Sequence, residues 1–202
     1  YWRYDVLHGS VAVFEGRFDE ARTRFDEASH RSRACWGDSG PVLHGFAHLC
    51  LDALTGSSSA APLFGTLAKS LPSPIIIGCH AWAQVLAGAL PGARVTLESI
   101  DPSSLVWFPE HLVGGIALVA LAETAVALDD TAMADAVAEQ LRPLESLMLG
   151  LPWAPSVAAA DSLALIAHHR GDDEAERRCR TQALALYETL GAPALAAHLD
   201  RF

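Results

Sequence analysis

Residues 9–28, GSVAVFEGRFDEARTRFDEA, constrain the fold of this chain more than any other stretch. Apolar residues recur three and four positions apart on both sides of Gly16, which predicts two helices joined by a tight turn. Short amphipathic helices are marginal alone in water, so the two must bury their apolar faces against each other. Gly9 and Ala21 have little or no side chain and let the two backbones approach closely. The stretch therefore predicts a packed helix pair.

The same pattern returns along the chain at intervals that indicate a repeat. Residues 42–45 (VLHG) match residues 6–9 letter for letter, 36 residues later. Aligning the predicted helices places a small residue at one equivalent position in each pair: Gly9, Gly45, Ala81, Ala122 and Ala164, spaced by 36, 36, 41 and 42 residues. No strand pattern appears in the sequence. We therefore predict an all-α fold, a tetratricopeptide (TPR)-like right-handed solenoid of about five antiparallel helix pairs.

The predicted helices alternate with turns that contain glycine, proline or aspartate. The first helix of each pair covers residues 2–15, 41–54, 75–90, 110–128 and 156–170. The second covers residues 18–35, 62–71, 93–100, 131–147 and 174–190, with a bend or break expected before Pro143. Residues 193–202 would form a capping helix or begin another repeat. We expect residues 1–202 to be one domain cut from a longer protein, because Tyr1 rather than methionine opens a helix.

The amino-acid composition limits the possible binding partners and the cellular location. The formal net charge of −10 argues against direct binding to nucleic acid or to an anionic membrane, because both require a basic face. The four cysteines form no CxxC pair, which favours a reduced, cytoplasmic location. The longest apolar run, residues 112–128, is about 17 residues long and contains Glu123, so a buried helix is a better interpretation than a bilayer span.

Three stretches carry a resemblance to a known family: residues 110–147, 164–174 (ALIAHHRGDDE) and 174–197. They resemble the degenerate TPR region of large bacterial regulators, in which a STAND/AAA-type ATP-binding module precedes the repeats and an output domain, often a LuxR-type helix-turn-helix, follows them. The resemblance implies a sensor or autoinhibitory helical domain that regulates a DNA-binding or enzymatic partner in the same polypeptide. The sequence has no convincing catalytic motif, so we predict that the chain itself is not an enzyme. The chain has no phosphate-binding loop, since Ala68 and not glycine precedes Lys69-Ser70, so ATP and DNA would belong to other segments.

The repeat alignment also predicts a ligand site on the concave surface of the solenoid, which we call the groove. Its candidate residues come from all five pairs: Arg3, Phe46, Trp82, Glu123, Asp161 and His168. Aromatic rings at one end and acids with an imidazole at the other suit an amphipathic partner. We expect a small molecule with an apolar body and a polar or cationic end, or a peptide segment of the parent regulator. No cofactor and no metal are predicted.

Two other interpretations of these residues stay open. Asp161, Glu123 and His168 could serve a small all-α enzyme as an acid–base group in a central cavity, although no nucleophile is paired with them. Alternatively, the chain could block its own groove and have a purely architectural role.

Further aromatic and histidine positions are assigned to packing. His44 and His48 have the spacing of two zinc ligands on one helix. We nevertheless expect the histidines at the shared repeat position, His8, His44 and His80, to be packing residues with hydrogen-bonded rings. Tryptophans between repeats are expected to be buried: Trp36, Trp107 and Trp153.

Overall fold

The protein is described from a computed structural model that covers residues 1–37, 39–151 and 154–201. Helices dominate the described residues: α1 (Trp2–Phe14), α2 (Phe18–Trp36), α3 (Ser39–Thr55), α4 (Ala61–Ser70), α5 (Pro74–Leu86), α6 (Leu90–Glu98), α7 (Gly114–Ala127), α8 (Thr131–Leu141), α9 (Ala159–His169), α10 (Asp173–Leu190) and α11 (Pro193–His198). Three 3₁₀ helices, Pro102–Glu110, Arg142–Leu144 and Leu199–Arg201, complete the helical part. None of these helices is long and apolar enough to cross a membrane.

Aspartate side chains cap the starts of two helices. The carboxylate of Asp130 accepts a hydrogen bond from the Met133 N–H at the start of α8, at 3.0 Å. Asp172 does the same for the Ala175 N–H at the start of α10. Such caps satisfy backbone donors that have no partner inside the helix. Gly191 ends α10 in the left-handed region, which glycine adopts without steric cost. The predicted break before Pro143 is confirmed, because α8 ends at Leu141.

The small residues at the shared repeat position are all buried, as predicted. At Gly9 of α1, an added Cβ would lie 2.6 Å from the Phe25 ring of α2. An added Cβ at Gly45 of α3 would collide with Leu63 of α4. Ala122 and Ala164 have no exposed surface. The helices therefore approach each other so closely that only a small residue fits at these positions.

The packing of the helices forms a row. Consecutive helices pack as α1 with α2, α5 with α6, α7 with α8, and α9 with α10. The first helices of successive pairs also touch, α3 with α5, α5 with α7, and α7 with α9. The fourth helix departs from this scheme, because α4 packs more extensively on α5 than on α3. The all-α expectation is confirmed at the level of a predominantly helical fold.

A short β-hairpin interrupts the helices, so the expectation of no strands is wrong here. Strand β1 (Met148–Leu151) pairs antiparallel with β2 (Ala154–Ala158), and Leu149 lies opposite Val157. Helix α9 consequently begins at Ala159 and not at residue 156. Strands of four and five residues are too short to show a clear alternating pattern. Similarly, α7 begins at Gly114 and not at residue 110, because a 3₁₀ helix containing Pro109 precedes it.

The hairpin and the C-terminus cover one face of the helix row. Strand β1 packs on α7, where the missing side chain of Gly115 leaves room for Leu149. Strand β2 packs on α1, α3 and α9, and α11 packs on α1 and α10. The first and last helices of the described chain therefore touch. The part of the predicted groove that contains Trp82, Glu123 and Asp161 is covered by the chain itself.

The small-residue contacts lead to a stability prediction. Replacing Gly9 or Ala122 with leucine should overpack a helix pair and lower the free energy of unfolding by about 1–3 kcal/mol. Val11→Leu is the matched control, because the Val11 side chain is exposed on the same helix as Gly9. Urea unfolding of the three variants measures the effect. Equal stability of Gly9→Leu, Ala122→Leu and Val11→Leu would contradict the proposed close contacts.

Candidate functional site

Seven elements, the last of them the 3₁₀ helix Leu199–Arg201, converge on one small cavity beneath the hairpin and residues 192–201. Its volume of about 20 Å³ leaves room for about one water molecule. Helices α3, α5, α7, α9 and α11 contribute to its walls, as does strand β2. The lining residues are Cys50, Ala53, Leu54, Trp82, Val119, Glu123, Val157, Asp161, Leu195, His198 and Arg201. Apolar side chains therefore form most of the wall, and charged groups are confined to one side.

Two carboxylates face one guanidinium at this cavity. Glu123 on α7 and Asp161 on α9 come together because the two helices pack against each other. Arg201 donates from Nη2 to Glu123 Oε1 at 2.6 Å and to Asp161 Oδ1 at 3.2 Å. Asp161 is only 1% exposed, so its charge depends on partners within the protein. Arg201 supplies the positive charge from the C-terminal 3₁₀ helix.

A buried tyrosine fixes the orientation of Asp161. The Tyr187 hydroxyl of α10 donates to Asp161 Oδ2 at 2.8 Å and accepts the Ala158 N–H at 3.1 Å. Burial is the main cause of the raised pKa of Tyr187, and the Asp161 charge adds to it. The hydroxyl therefore keeps its proton and remains a donor. One side chain thus ties α10, the end of β2 and the acid of α9 together.

Burial sets the protonation of the neighbouring groups. It raises the pKa of Glu123 to about 7, against the opposing effect of Arg201. It also raises the pKa of Asp161, where Arg201 and the Tyr187 hydrogen bond oppose the shift. Burial, together with the nearby Arg201 charge, lowers the pKa of His198 to about 4. Near neutral pH the imidazole of His198 is therefore neutral.

Three of the six predicted site residues meet at the cavity: Trp82, Glu123 and Asp161. The other three do not line it. Arg3 is exposed on α1, with its guanidinium 5.5 Å from the centre of the Trp2 ring. Phe46 is 2% exposed and packs edge-to-face on Phe64, because its side of α3 faces α4 and the core.

His168 lies apart from the cavity as well. Its Nδ1 is 3.0 Å from Glu176 Oε2, and 49% of its side chain is exposed. The structure therefore does not bring His168 together with Asp161 and Glu123 in the cavity.

Sequence reasoning missed the groups that complete the site. Tyr187, His198 and Arg201 were not among the candidates, although all three contact or line the acidic side of the cavity. Arg201 lies 78 residues from Glu123 and 40 from Asp161 in sequence. Arg201 lies after the last predicted helix pair, so the repeat spacing that linked Glu123 to Asp161 does not reach it. A lone tyrosine on the apolar side of α10 likewise looks like an ordinary core residue.

The packing histidines and tryptophans differ from expectation in part. His44 is buried against the edge of the Trp2 ring, and burial lowers its pKa to about 4. The expectation of hydrogen-bonded rings is wrong for Nδ1 of His44 and of His80, which have no partner among the described residues. Trp36 and Trp107 are 43% and 62% exposed, so they are not buried junction residues. Trp153 lies outside the described residues.

A second buried carboxylate provides a structural comparison. Asp52 of α3 is fully buried and accepts hydrogen bonds from the Ala60 N–H at 2.7 Å and the Ser59 hydroxyl at 2.8 Å. Ser57 also donates to it, and Arg22 approaches it at 3.4 Å. These groups fix the turn between α3 and α4. Asp52 is thus satisfied by its own loop, whereas Glu123 has Arg201 as its partner among the described residues.

Comparisons of the chain with protein-family models, with curated proteins and with solved structures found no match. The resemblance to the TPR region of bacterial regulators therefore stays a prediction. Within the described residues, no group of three or more histidine, cysteine, aspartate or glutamate side chains could hold a metal ion.

The raised pKa of Glu123 predicts a specific pH dependence of stability. Between pH 4.5, the ordinary pKa, and about 7, the folded chain binds a proton that the unfolded chain has lost. Stability should therefore fall as pH rises through this window, by on the order of 2 kcal/mol from this group. Glu123→Gln removes the ionisation and should flatten the profile. Urea unfolding from pH 4.5 to 8, with the exposed Glu174→Gln as control, tests this; parallel profiles of wild type and Glu123→Gln would refute it.

Removing the Tyr187 hydroxyl should be costly. Tyr187→Phe leaves the Ala158 N–H and one oxygen of Asp161 without their partner, and both groups are buried. We expect a loss of about 1–3 kcal/mol in the free energy of unfolding. Tyr4→Phe is the control, because Tyr4 is 55% exposed on α1. A Tyr187→Phe variant as stable as Tyr4→Phe would show that the hydroxyl does not support this network.

Proposed function

We propose that the chain is a non-enzymatic sensor or interaction module that binds an amphipathic cation at the cavity. The observation that carries this proposal is the pair of carboxylates, Glu123 and Asp161, that hold a guanidinium beside the apolar wall around Trp82. The ligand would place a guanidinium or ammonium group between the acids and an apolar body against Trp82. A small molecule or a basic peptide segment of a parent regulator both have this chemistry.

The chemistry of the site supports a cation over other ligands. Carboxylates form short, strong hydrogen bonds with guanidinium groups, and two carboxylates on separate helices can bind one guanidinium at two points. The apolar wall, to which Leu54, Trp82 and Val119 contribute, would contact the apolar body of the ligand. The net charge of −10 attracts cations and repels anions over the whole surface.

The wider setting is part of the same proposal. We infer a TPR-like stack of helix pairs, belonging to a cytoplasmic bacterial transcriptional or signalling regulator of the STAND/LuxR type. Binding at the face of the row would change how the helix pairs pack, and that change would reach an ATP-binding or output domain. The row of α3, α5, α7 and α9 supports such a stack, because a shift between two pairs alters the contacts of the next.

The enzymatic alternative has less support. It requires Asp161, Glu123 and His168 around one substrate. The pKa of Glu123, about 7, suits acid–base chemistry. However, the His168 imidazole is bonded to Glu176 at the surface and not directed to the two acids. A binding role uses both acids of the cavity, Glu123 and Asp161, whereas the enzymatic role also requires His168, which lies outside the cavity.

Calorimetry with one cation and its neutral analogue tests the proposal. The probe is phenethylguanidinium, whose phenyl ring and planar cation match the two sides of the cavity, and phenethylurea is the uncharged analogue. Wild type should bind the cation and not the urea. Glu123→Gln should weaken binding at least about tenfold, because a charge-assisted hydrogen bond is lost. The matched control, Glu174→Gln, should bind as wild type does. Equal binding of both probes, or by both variants, would contradict the proposal.

A further inference from the structure

The C-terminal residues 192–201, which we call the strap, close the cavity. Two apolar side chains fix the strap to the body of the protein: Leu195 is 1% exposed and Leu199 is fully buried. On the outer side, Asp200 accepts a hydrogen bond from Arg180 of α10 at 2.9 Å. On the inner side, Leu195, His198 and Arg201 form one wall of the cavity. The remaining walls belong to other elements, so removing the strap would leave the acids and Trp82 on an open surface.

Arg201 has the chemistry of the ligand proposed above. Its guanidinium lies between Glu123 and Asp161, and its side chain is 21% exposed, so it fills the mouth of the cavity. The adjoining strap residues add apolar contact beside the cation. The strap therefore presents a cationic head and an apolar body to the same walls, in the arrangement that an amphipathic cation would use.

We propose that the strap is a built-in competitor: a guanidinium or ammonium ligand binds by displacing Arg201, and the strap then leaves the cavity. The inference rests on the proposed function and names how that site is regulated. The strap covers the site in this structure, and ligand binding is coupled to release of the strap. Release of the strap is thus the structural signal that the neighbouring parts of a larger protein would detect.

The attachment of the strap is suited to reversible release. Helix α11 has six residues, well below the length at which a helix is stable alone, so the released strap would lose its helical structure. Release gives up two buried leucines and the contacts of Arg201, and leaves α9 and α10 in place. Asp161 keeps its hydrogen bond from Tyr187 without the strap. The acid is thus held in position for an incoming cation.

The comparison with Arg22 separates a displaceable cation from a structural one. Arg22 also approaches a buried carboxylate, Asp52, but that carboxylate has hydroxyl and backbone donors in addition. Among the described residues, the Glu123 carboxylate is bonded to Arg201. Removing Arg201 therefore leaves the partly buried Glu123 and the buried Asp161 without their cation. Asp52, in contrast, keeps its other donors when Arg22 is removed. This difference makes Arg22→Ala a matched control.

An occupant tethered to its own site has a high effective concentration, so it lowers the apparent affinity for a free ligand. Arg201→Ala should remove this competition. We expect phenethylguanidinium to bind Arg201→Ala at least about tenfold more tightly than wild type. Arg22→Ala should bind it as wild type does, and Arg201→Ala combined with Glu123→Gln should lose the gain. Phenethylurea should show no gain in any variant.

Hydrogen–deuterium exchange on the wild-type chain provides a second measurement that does not depend on the stability of a variant. Saturating phenethylguanidinium should speed exchange of the amides in residues 194–201 severalfold and leave those of α9 unchanged. Two results would contradict the proposal that the strap competes with the ligand. One is binding that depends on Glu123 but is equally tight in wild type and Arg201→Ala, and the other is binding without faster exchange in the strap. Either result would leave the proposed function intact. Absence of binding by every variant would overturn both.

Discussion

The charge on two carboxylates, Asp161 of α9 with a side chain 1% exposed and Glu123 of α7 with a side chain 24% exposed, is the constraint on which the cover of the cavity depends. A buried charge is costly unless a partner reaches it, and Glu123 and Asp161 obtain their positive charge from Arg201. These two contacts hold Arg201 of the strap over the cavity. Tyr187 completes the arrangement by tying Asp161 to the end of the hairpin. The ion pairs at the cavity and the buried Leu195 and Leu199 thus together hold the strap in place.

Close helix contacts and the hairpin provide the frame for this cavity. Gly9 and Gly45 allow neighbouring helices to touch where a larger residue would collide, and the absence of a side chain at Gly115 admits Leu149 of the hairpin to α7. The hairpin in turn delivers Val157 to the cavity wall. Small residues therefore serve two purposes. They let paired helices pack closely, and at Gly115 they let the hairpin approach α7.

Periodic and local features were predictable from the sequence, whereas contacts between distant segments were not. The helix pairs, the small residues such as Ala122 and the break before Pro143 follow from spacing and from backbone chemistry. The hairpin was missed because its strands are too short to show alternation. Trp82, Glu123 and Asp161 were placed together by the repeat alignment, but Arg201 was not, since it belongs to no repeat. Phe46 shows the limit of that alignment: the same register places a ring in the core in one pair and at a cavity in another.

The contact between the first and last helices has a consequence for how the chain unfolds. In an open array each unit touches only its neighbours, so the ends fray first and the middle survives longest. Here α11 and β2 both rest on α1, which joins the two ends of the row. Within the described residues, loss of α11 therefore also removes contacts of α1, and loss of α1 removes contacts of α11. We therefore expect these residues to melt in one cooperative transition, as a small globular domain does, more than by the gradual unravelling of a linear repeat protein.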